Sequence, residues 1–305
     1  MSETKAIKRS KLKAIAPTEA QPSKPKILVY GRPGVGKTWW ALDFPSVYYI
    51  DTEGGASRGQ YIEKLKSSGG VYMGPEQESQ DFEKVIEELK TLATEEHPFK
   101  TVVIDSLSKL YNATIAREMD RLGDRDAFGA SKKPATVLTR KLINWIDRID
   151  MNVILIAHEK TMWEKQEQTG FTFDAWDKLE YELDLAIRVI KLGDKRLGNV
   201  RKSRITGFPD GDSFAWNYTD FSHRYGKDVI EMQGKAIKLA TEEKILEVEA
   251  LIKELKVPDE GMQKWLSKEK VSHLREVRAS RIDFLISEMK KEKERKKGPI
   301  SEIYT

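Results

Sequence analysis

The sequence predicts an α/β fold: a mostly parallel sheet covered on both faces, extended at one edge by antiparallel strands and followed by a small helical module. Three observations carry this. Short, nearly continuous apolar runs (KILVY, 26–30; TVVID, 101–105; MNVILIAH, 151–158) read as strands buried on both sides. Between them lie segments with apolar residues at helical spacing, and that alternation asks for right-handed crossovers between parallel strands. The first run ends at once in GRPGVGKT, which fits G-x-x-x-x-G-K-[ST] at every position, between a strand and a helix.

Taken in order, KILVY is the first strand and 31–38 a loop. TWWALDF opens a helix that ends before Pro45, and SVYYID (46–51) is the second strand. Residues 58–67 read as a short helix. Residues 79–95 place Phe82, Val85, Ile86, Leu89 and Leu92 on one helical face. After the strand 101–105 come helices over 106–121 and 134–149, then the strand 151–158. Beyond about 180 the texture changes. LDLAIRVIKLG, NVRKSRITGF and SFAWNY read as consecutive strands joined at Gly193, Gly198, Gly207 and Gly211. Residues 220–240 show no decisive pattern. Residues 242–256 line up Ile245, Val248, Leu251, Ile252 and Leu255. Pro258 and Gly261 break that helix, Met262–Leu266 is short, and 271–289 carries a further apolar face. The expected organisation is a disordered basic arm (1–25), a core (26–240), a helical module (241–290) and a charged tail (291–305).

The chain has 305 residues, 33% of them charged, and no cysteine. Disulfides, thiolate zinc sites and cysteine nucleophiles are excluded, and a cytoplasmic location is the simple expectation. No run approaches the roughly 20 apolar residues of a membrane span, so no membrane partner is expected. The net charge of +4 is unevenly spread. Residues 1–26 carry +5 and residues 290–297 (KKEKERKK) +4, so the body between carries −5. Basic ends of this kind suit an anionic partner such as nucleic acid, or are simply solvated.

The loop is the strongest chemical signal. Gly31, Arg32, Pro33, Gly34, Val35, Gly36, Lys37, Thr38 and the following Trp39 are expected to hold ATP. Backbone N–H groups would curl around phosphate oxygens, Lys37 would reach the β- and γ-phosphates, and Thr38 would place its hydroxyl on Mg²⁺. Asp105, ending TVVID, is the expected second holder of Mg²⁺. Glu53, in DTEGG beyond the second strand, is the expected catalytic carboxylate that polarises the attacking water; Asp51 is its competitor. His158, ending VILIAH, is expected to face the γ-phosphate and report its loss.

These motifs, in the order P-loop, YYIDTEGGASRGQYIEKL, TVVIDSLSKL and VILIAHEK, resemble the RecA-like core over about residues 26–235. They are most similar to phage-encoded RecA-like ATPases that accompany single-strand annealing recombination. The resemblance implies a homo-oligomer with ATP between subunits, and basic fingers from a late strand. In VRKSR, Lys202 and Arg204 alternate onto one side and Arg201 faces away, so Lys202 and Arg204 are the expected fingers. The resemblance also implies that loops bind single-stranded DNA. One candidate loop, 121–133, carries Arg121, Arg125, Lys132 and Lys133 around Phe128. The other, 159–178, carries Lys160, Trp163, Lys165, Phe171, Phe173 and Trp176, but also five acids, and could form a hairpin packed on the core.

The expected function is therefore ATP hydrolysis coupled to single-stranded DNA in recombination, annealing or repair, with a single-strand-binding or annealing protein as a further partner. The alternatives are a ring-type DNA motor, and a nucleotide-gated adaptor that binds a replication or recombination protein with negligible turnover.

Overall fold

The computed structural model describes residues 23–126, 129–165 and 167–297. The arm expected over 1–25 lies outside the described residues except for its last three, as do Phe128 and the tail beyond 297. Lys24 is buried, and its ammonium donates to the carbonyls of Val229 (3.2 Å) and Met232.

Among the described residues, nine strands form one sheet. They are β1 (Lys26–Gly31), β2 (Val47–Asp51), β3 (Val71–Met73), β4 (Thr101–Asp105), β5 (Asn152–Glu164), β6 (Glu167–Phe173), β7 (Leu185–Leu192), β8 (Lys195–Ser203) and β9 (Ser213–Ala215). The order is β3-β2-β4-β5-β1-β7-β8-β9, with β6 paired to the outer half of β5. From β3 to β7 neighbours are parallel; β8 and β9 add antiparallel, as the sequence predicts. Parallel registry fixes the site. Gly31 is level with His158, and Asp51 with Asp105, so four motif residues of four neighbouring strands come to one rim of the parallel sheet.

Alternation along the strands divides the core in two. One face carries Leu28, Ile50, Val102, Ile104, Val153 and Leu155 against α3 (Phe82–Thr94), α4 (Leu107–Leu122) and α5 (Lys132–Ile146). The other carries Ile27, Val29, Val47, Tyr49, Val103 and Ile154 against α1 (Lys37–Ala41), α2 (Ile62–Ser68), α7 (Tyr218–Tyr225) and α8 (Lys227–Glu231). The short α6 is Leu179–Glu182. Asp81 caps α3 by accepting from the N–H groups of Glu83 (2.8 Å) and Lys84 (3.2 Å). A third cluster joins α9 (Glu242–Leu255), α10 (Asp259–Lys268) and α11 (Ala279–Lys297) through Val248, Leu251, Leu266, Ile282 and Ile286.

Several boundaries differ from the sequence expectation, each for a physical reason. The helix expected over 58–67 begins at Ile62, because residues 53–56 wrap around the Asp51 carboxylate and residues 54–60 close turns instead. Gly261 does not break a helix; it lies inside α10, which Pro258 precedes at a position where its missing N–H costs nothing. The helix expected over 271–289 starts only at Ala279. Val271, Leu274 and Val277 reach the core from a connection whose backbone pairs Arg278 with Leu239. α11 then runs on through the basic 290–297 segment. The undecided 220–240 stretch contains most of α7 and all of α8.

Candidate nucleotide site

The loop after β1 is built by close approach. A Cβ on Gly31 would come within 2.5 Å of the Val189 carbonyl oxygen, so only glycine lets the chain leave β1 here. Gly36 sits at φ +91°, and α1 begins at Lys37. The Lys37 ammonium folds back over the loop and donates to the carbonyls of Gly31 (2.7 Å) and Arg32 (3.0 Å). Burial lowers its pKa, which nearby Asp105 and Glu53 partly offset.

Thr38 and Asp105 meet. The Thr38 hydroxyl donates to Asp105 Oδ2 at 2.5 Å, and the Tyr49 hydroxyl donates to the same oxygen at 3.2 Å. Burial pushes the Asp105 carboxyl up to about 6; the Thr38 hydrogen bond opposes this and the Glu53 charge adds to it. A buried carboxylate beside a hydroxyl suits a hard divalent cation that keeps most of its ligands as water and phosphate oxygens. Accordingly, no cluster of three or more His, Cys, Asp or Glu able to cage a metal exists among the described residues.

Asp51 ends β2 and Glu53 follows it, and the two carboxylates stand in different surroundings. Asp51 is fully buried. Its Oδ1 accepts the N–H groups of Glu53 (3.1 Å) and Gly54 (2.8 Å), and its Oδ2 that of Ala56 (2.7 Å). Both oxygens are committed to holding the loop. Glu53 is half-exposed at the rim. Its Oε1 accepts from the Ser106 hydroxyl (2.9 Å) and lies 2.8 Å from His158 Nε2, which is also 3.2 Å from Ser106 Oγ. Thr52 and Ser106 lock the two strand ends: Ser106 N–H donates to Thr52 Oγ1 (2.8 Å), and that hydroxyl donates to the Ser106 carbonyl (3.2 Å).

The His158 hydrogen bond holds the Glu53 carboxyl down at about 2, against the opposing effect of burial. The same bond raises the His158 pKa above its ordinary value. The signs are consistent. Glu53 stays ionised throughout the neutral range, and the ion-pair character of the contact is lost as pH rises through the elevated His158 value. Titrating His158 by NMR is expected to give a pKa above 6.5 in the wild type and a lower one in Glu53→Gln; equal values would sink this assignment of the shift.

The expected fingers lie elsewhere. Lys202 is level with Ala186, and the Arg204 N–H donates to the Asp184 carbonyl (2.9 Å), at the sheet end opposite the loop. Within this chain Lys202 donates to the Leu183 carbonyl and Arg204 to that of Tyr181. Arg201 does not turn away as the alternation suggested. A β-bulge interrupts the β7–β8 register beside it, and its guanidinium comes near enough to Tyr30 to favour the ionised phenol, against the larger effect of burial.

The 159–178 segment is a hairpin, β5–β6. Phe173 is buried edge-on to Tyr30, with ring centroids 5.8 Å apart, and Trp176 lies near Arg140 (5.2 Å). Lys160 pairs with Asp177 (3.3 Å). Met162 and Trp163 are exposed at the tip, Trp163 by 65%, with Lys165 in the turn. In the other candidate loop Arg121 is paired with Glu118 (2.5 Å).

One group was not anticipated from the sequence. Glu159, directly after His158, takes Arg188 Nε at 2.6 Å and Arg32 Nε at 3.5 Å, and both guanidiniums lie near the Phe171 ring of β6, at 4.2 and 5.6 Å. A P-loop residue and a residue of β7 thus share one buried carboxylate of the hairpin strand β5. Only the paired register of β1, β5 and β7 brings them together, so local pattern holds no signal for it.

Among solved structures, that of the RadB recombinase is similar over 63% of this chain and 86% of its own, with 23% identity and a TM-score of 0.42. No curated protein matches the chain. The sequence model of a family described as an AAA domain matches residues 23–206, from the strand before the phosphate loop to just past β8. That span is more than half of the chain and contains the residues of the site from Gly31 to His158, and the chain belongs to this AAA domain family.

Proposed function

We propose that the chain is a Mg²⁺-dependent ATPase that acts on single-stranded DNA in recombination, annealing or repair of the phage-encoded kind. The observation that supports it most is the rim itself: Thr38 against Asp105, with Glu53 held by His158 and Ser106 on the neighbouring strand ends. Residues 31–39 bind the triphosphate, and Lys37 exchanges its loop carbonyls for β- and γ-phosphate oxygens. Thr38 and Asp105 would hold Mg²⁺, which when bound would supply charge neutralisation to the triphosphate. Glu53 takes a proton from water as the water oxygen bonds to the γ-phosphorus; the bond to the β-phosphate oxygen breaks, releasing ADP and phosphate. His158 turns from Glu53 to the γ-phosphate when it is present, which frees the carboxylate and lifts its pKa toward a useful base. In an oligomer Lys202 and Arg204 approach the neighbouring subunit's nucleotide, consistent with their distance from this chain's own loop.

DNA would meet the hairpin tip, where Trp163 can stack on a base and Lys165 follow the backbone. ATP hydrolysis should rise when an unstructured single-stranded oligonucleotide is added, with Lys37→Ala as the blank, and Trp163→Ala should lose most of that rise. Equal rates with and without DNA would remove the DNA coupling.

A second reading rests on the Glu53 carboxyl, whose pKa of about 2 makes it a weak base while His158 holds it. A nucleotide-gated adaptor for a replication or recombination protein would bind ATP with negligible turnover, and the same assay separates it from the first.

A further inference from the structure

The β7–β8 hairpin carries two cations to the lip of the phosphate loop. The Cδ and Nε atoms of Arg196 lie 3.4 Å from where a Cβ on Gly36 would stand. The strand is tied there: the Trp216 N–H donates to the Arg196 carbonyl (3.0 Å), and the Trp216 indole N–H donates to the Gly36 carbonyl (3.3 Å). Trp216 stacks on Trp40 of α1 at 4.1 Å.

Lys191 is directly opposite Arg196 in the antiparallel ladder, so both side chains leave the same face. It is the face of Val189, two residues before Lys191, which packs with Trp40 behind the loop. Both cations are exposed, and among the described residues neither makes an ion pair. Like charges directly opposite are destabilising unless an anion sits between them. The neighbouring cations are otherwise engaged: Arg32 by Glu159, and Lys37 by the loop carbonyls.

We propose that Arg196, assisted by Lys191, binds the nucleotide's polyphosphate in cis. Its guanidinium reaches α- or β-phosphate oxygens from the β8 side while residues 31–38 hold them from beneath. A guanidinium fork fits two such oxygens at once. This rests on the nucleotide-binding reading above and adds to it a strand that the P-loop motif does not contain.

The test is calorimetric titration of the full chain with ADP, for wild type, Arg196→Ala, Arg196→Lys and Lys37→Ala, at low and high salt. Arg196→Ala should weaken ADP binding about tenfold or more, Arg196→Lys less, and the salt dependence of the Ala variant should be shallower. The melting temperature without nucleotide should not fall, since the substitution relieves repulsion at an exposed site. Unchanged ADP affinity in Arg196→Ala, with binding lost in Lys37→Ala, would overturn the role of Arg196 alone. A fall in the nucleotide-free melting temperature that Arg196→Lys does not restore would assign Arg196 to packing and overturn it too. Absence of binding by the wild type would overturn the nucleotide reading and the role of Arg196 with it.

Discussion

Glu53→Gln is expected to slow ATP hydrolysis by about 10²- to 10⁴-fold and to leave nucleotide affinity nearly intact. Gln keeps the volume of Glu and a carbonyl oxygen to accept from Ser106 Oγ, so the local geometry has no reason to collapse. What is lost is a negative charge and a proton acceptor. Binding should survive because Lys37, Thr38 and the loop N–H groups are untouched, and because Glu53 is half-exposed and ties down no backbone. Steady-state hydrolysis and ADP titration on the same preparation check both halves. A variant that still turns over at the wild-type rate would remove Glu53 from the chemistry. A wild type with no turnover to lose would bring the adaptor forward.

How much of this was legible beforehand depended on how local the cause is. The loop 31–38 and the strands KILVY, VYYID and TVVID are readable because both the phosphate motif and burial on two faces leave a contiguous mark in sequence. β3 left none: three residues, two of them exposed, make no period. β5 was read only to His158, yet it continues to Glu164, because beyond the sheet its partner is β6 and the buried run gives way to a solvent-exposed ribbon. Val271, Leu274 and Val277 imitate a helical face although a 3₁₀ turn and a bridge to Leu239 deliver them. The site shows the same division. Glu53, Asp105 and His158 could be placed near one rim of the sheet one motif at a time. Ser106 linking Glu53 to His158, Glu159 shared by Arg32 and Arg188, and Arg196 above Gly36 all depend on which strands are neighbours, and no window of sequence holds that.

The choice between Asp51 and Glu53 is the sharpest instance, and it yields the largest expected loss of stability. In sequence they are two carboxylates in DTEGG, equally able to face a phosphate. In the fold Asp51 is fully buried and accepts three backbone N–H groups, those of Glu53, Gly54 and Ala56, which among the described residues have no other acceptor. Asp51→Ala removes all three acceptors and leaves the N–H groups inside the protein. Each unmet buried donor costs about 1–3 kcal/mol. Water entering the vacated space would recover part of that, so a net loss of roughly 3 kcal/mol is expected. Asp51→Asn should cost less, because one oxygen still accepts while the amide group faces an N–H it cannot satisfy. Chemical denaturation reads this directly: the midpoint should drop in the order Ala below Asn below wild type, with Glu53→Gln beside wild type. Hydrolysis should fall in Asp51→Ala as well, because the loop that sets Glu53 against His158 is no longer anchored. An unchanged midpoint in Asp51→Ala would mean that the loop holds itself without the carboxylate. The separation between a carboxylate that shapes the site and one that works in it would then fail.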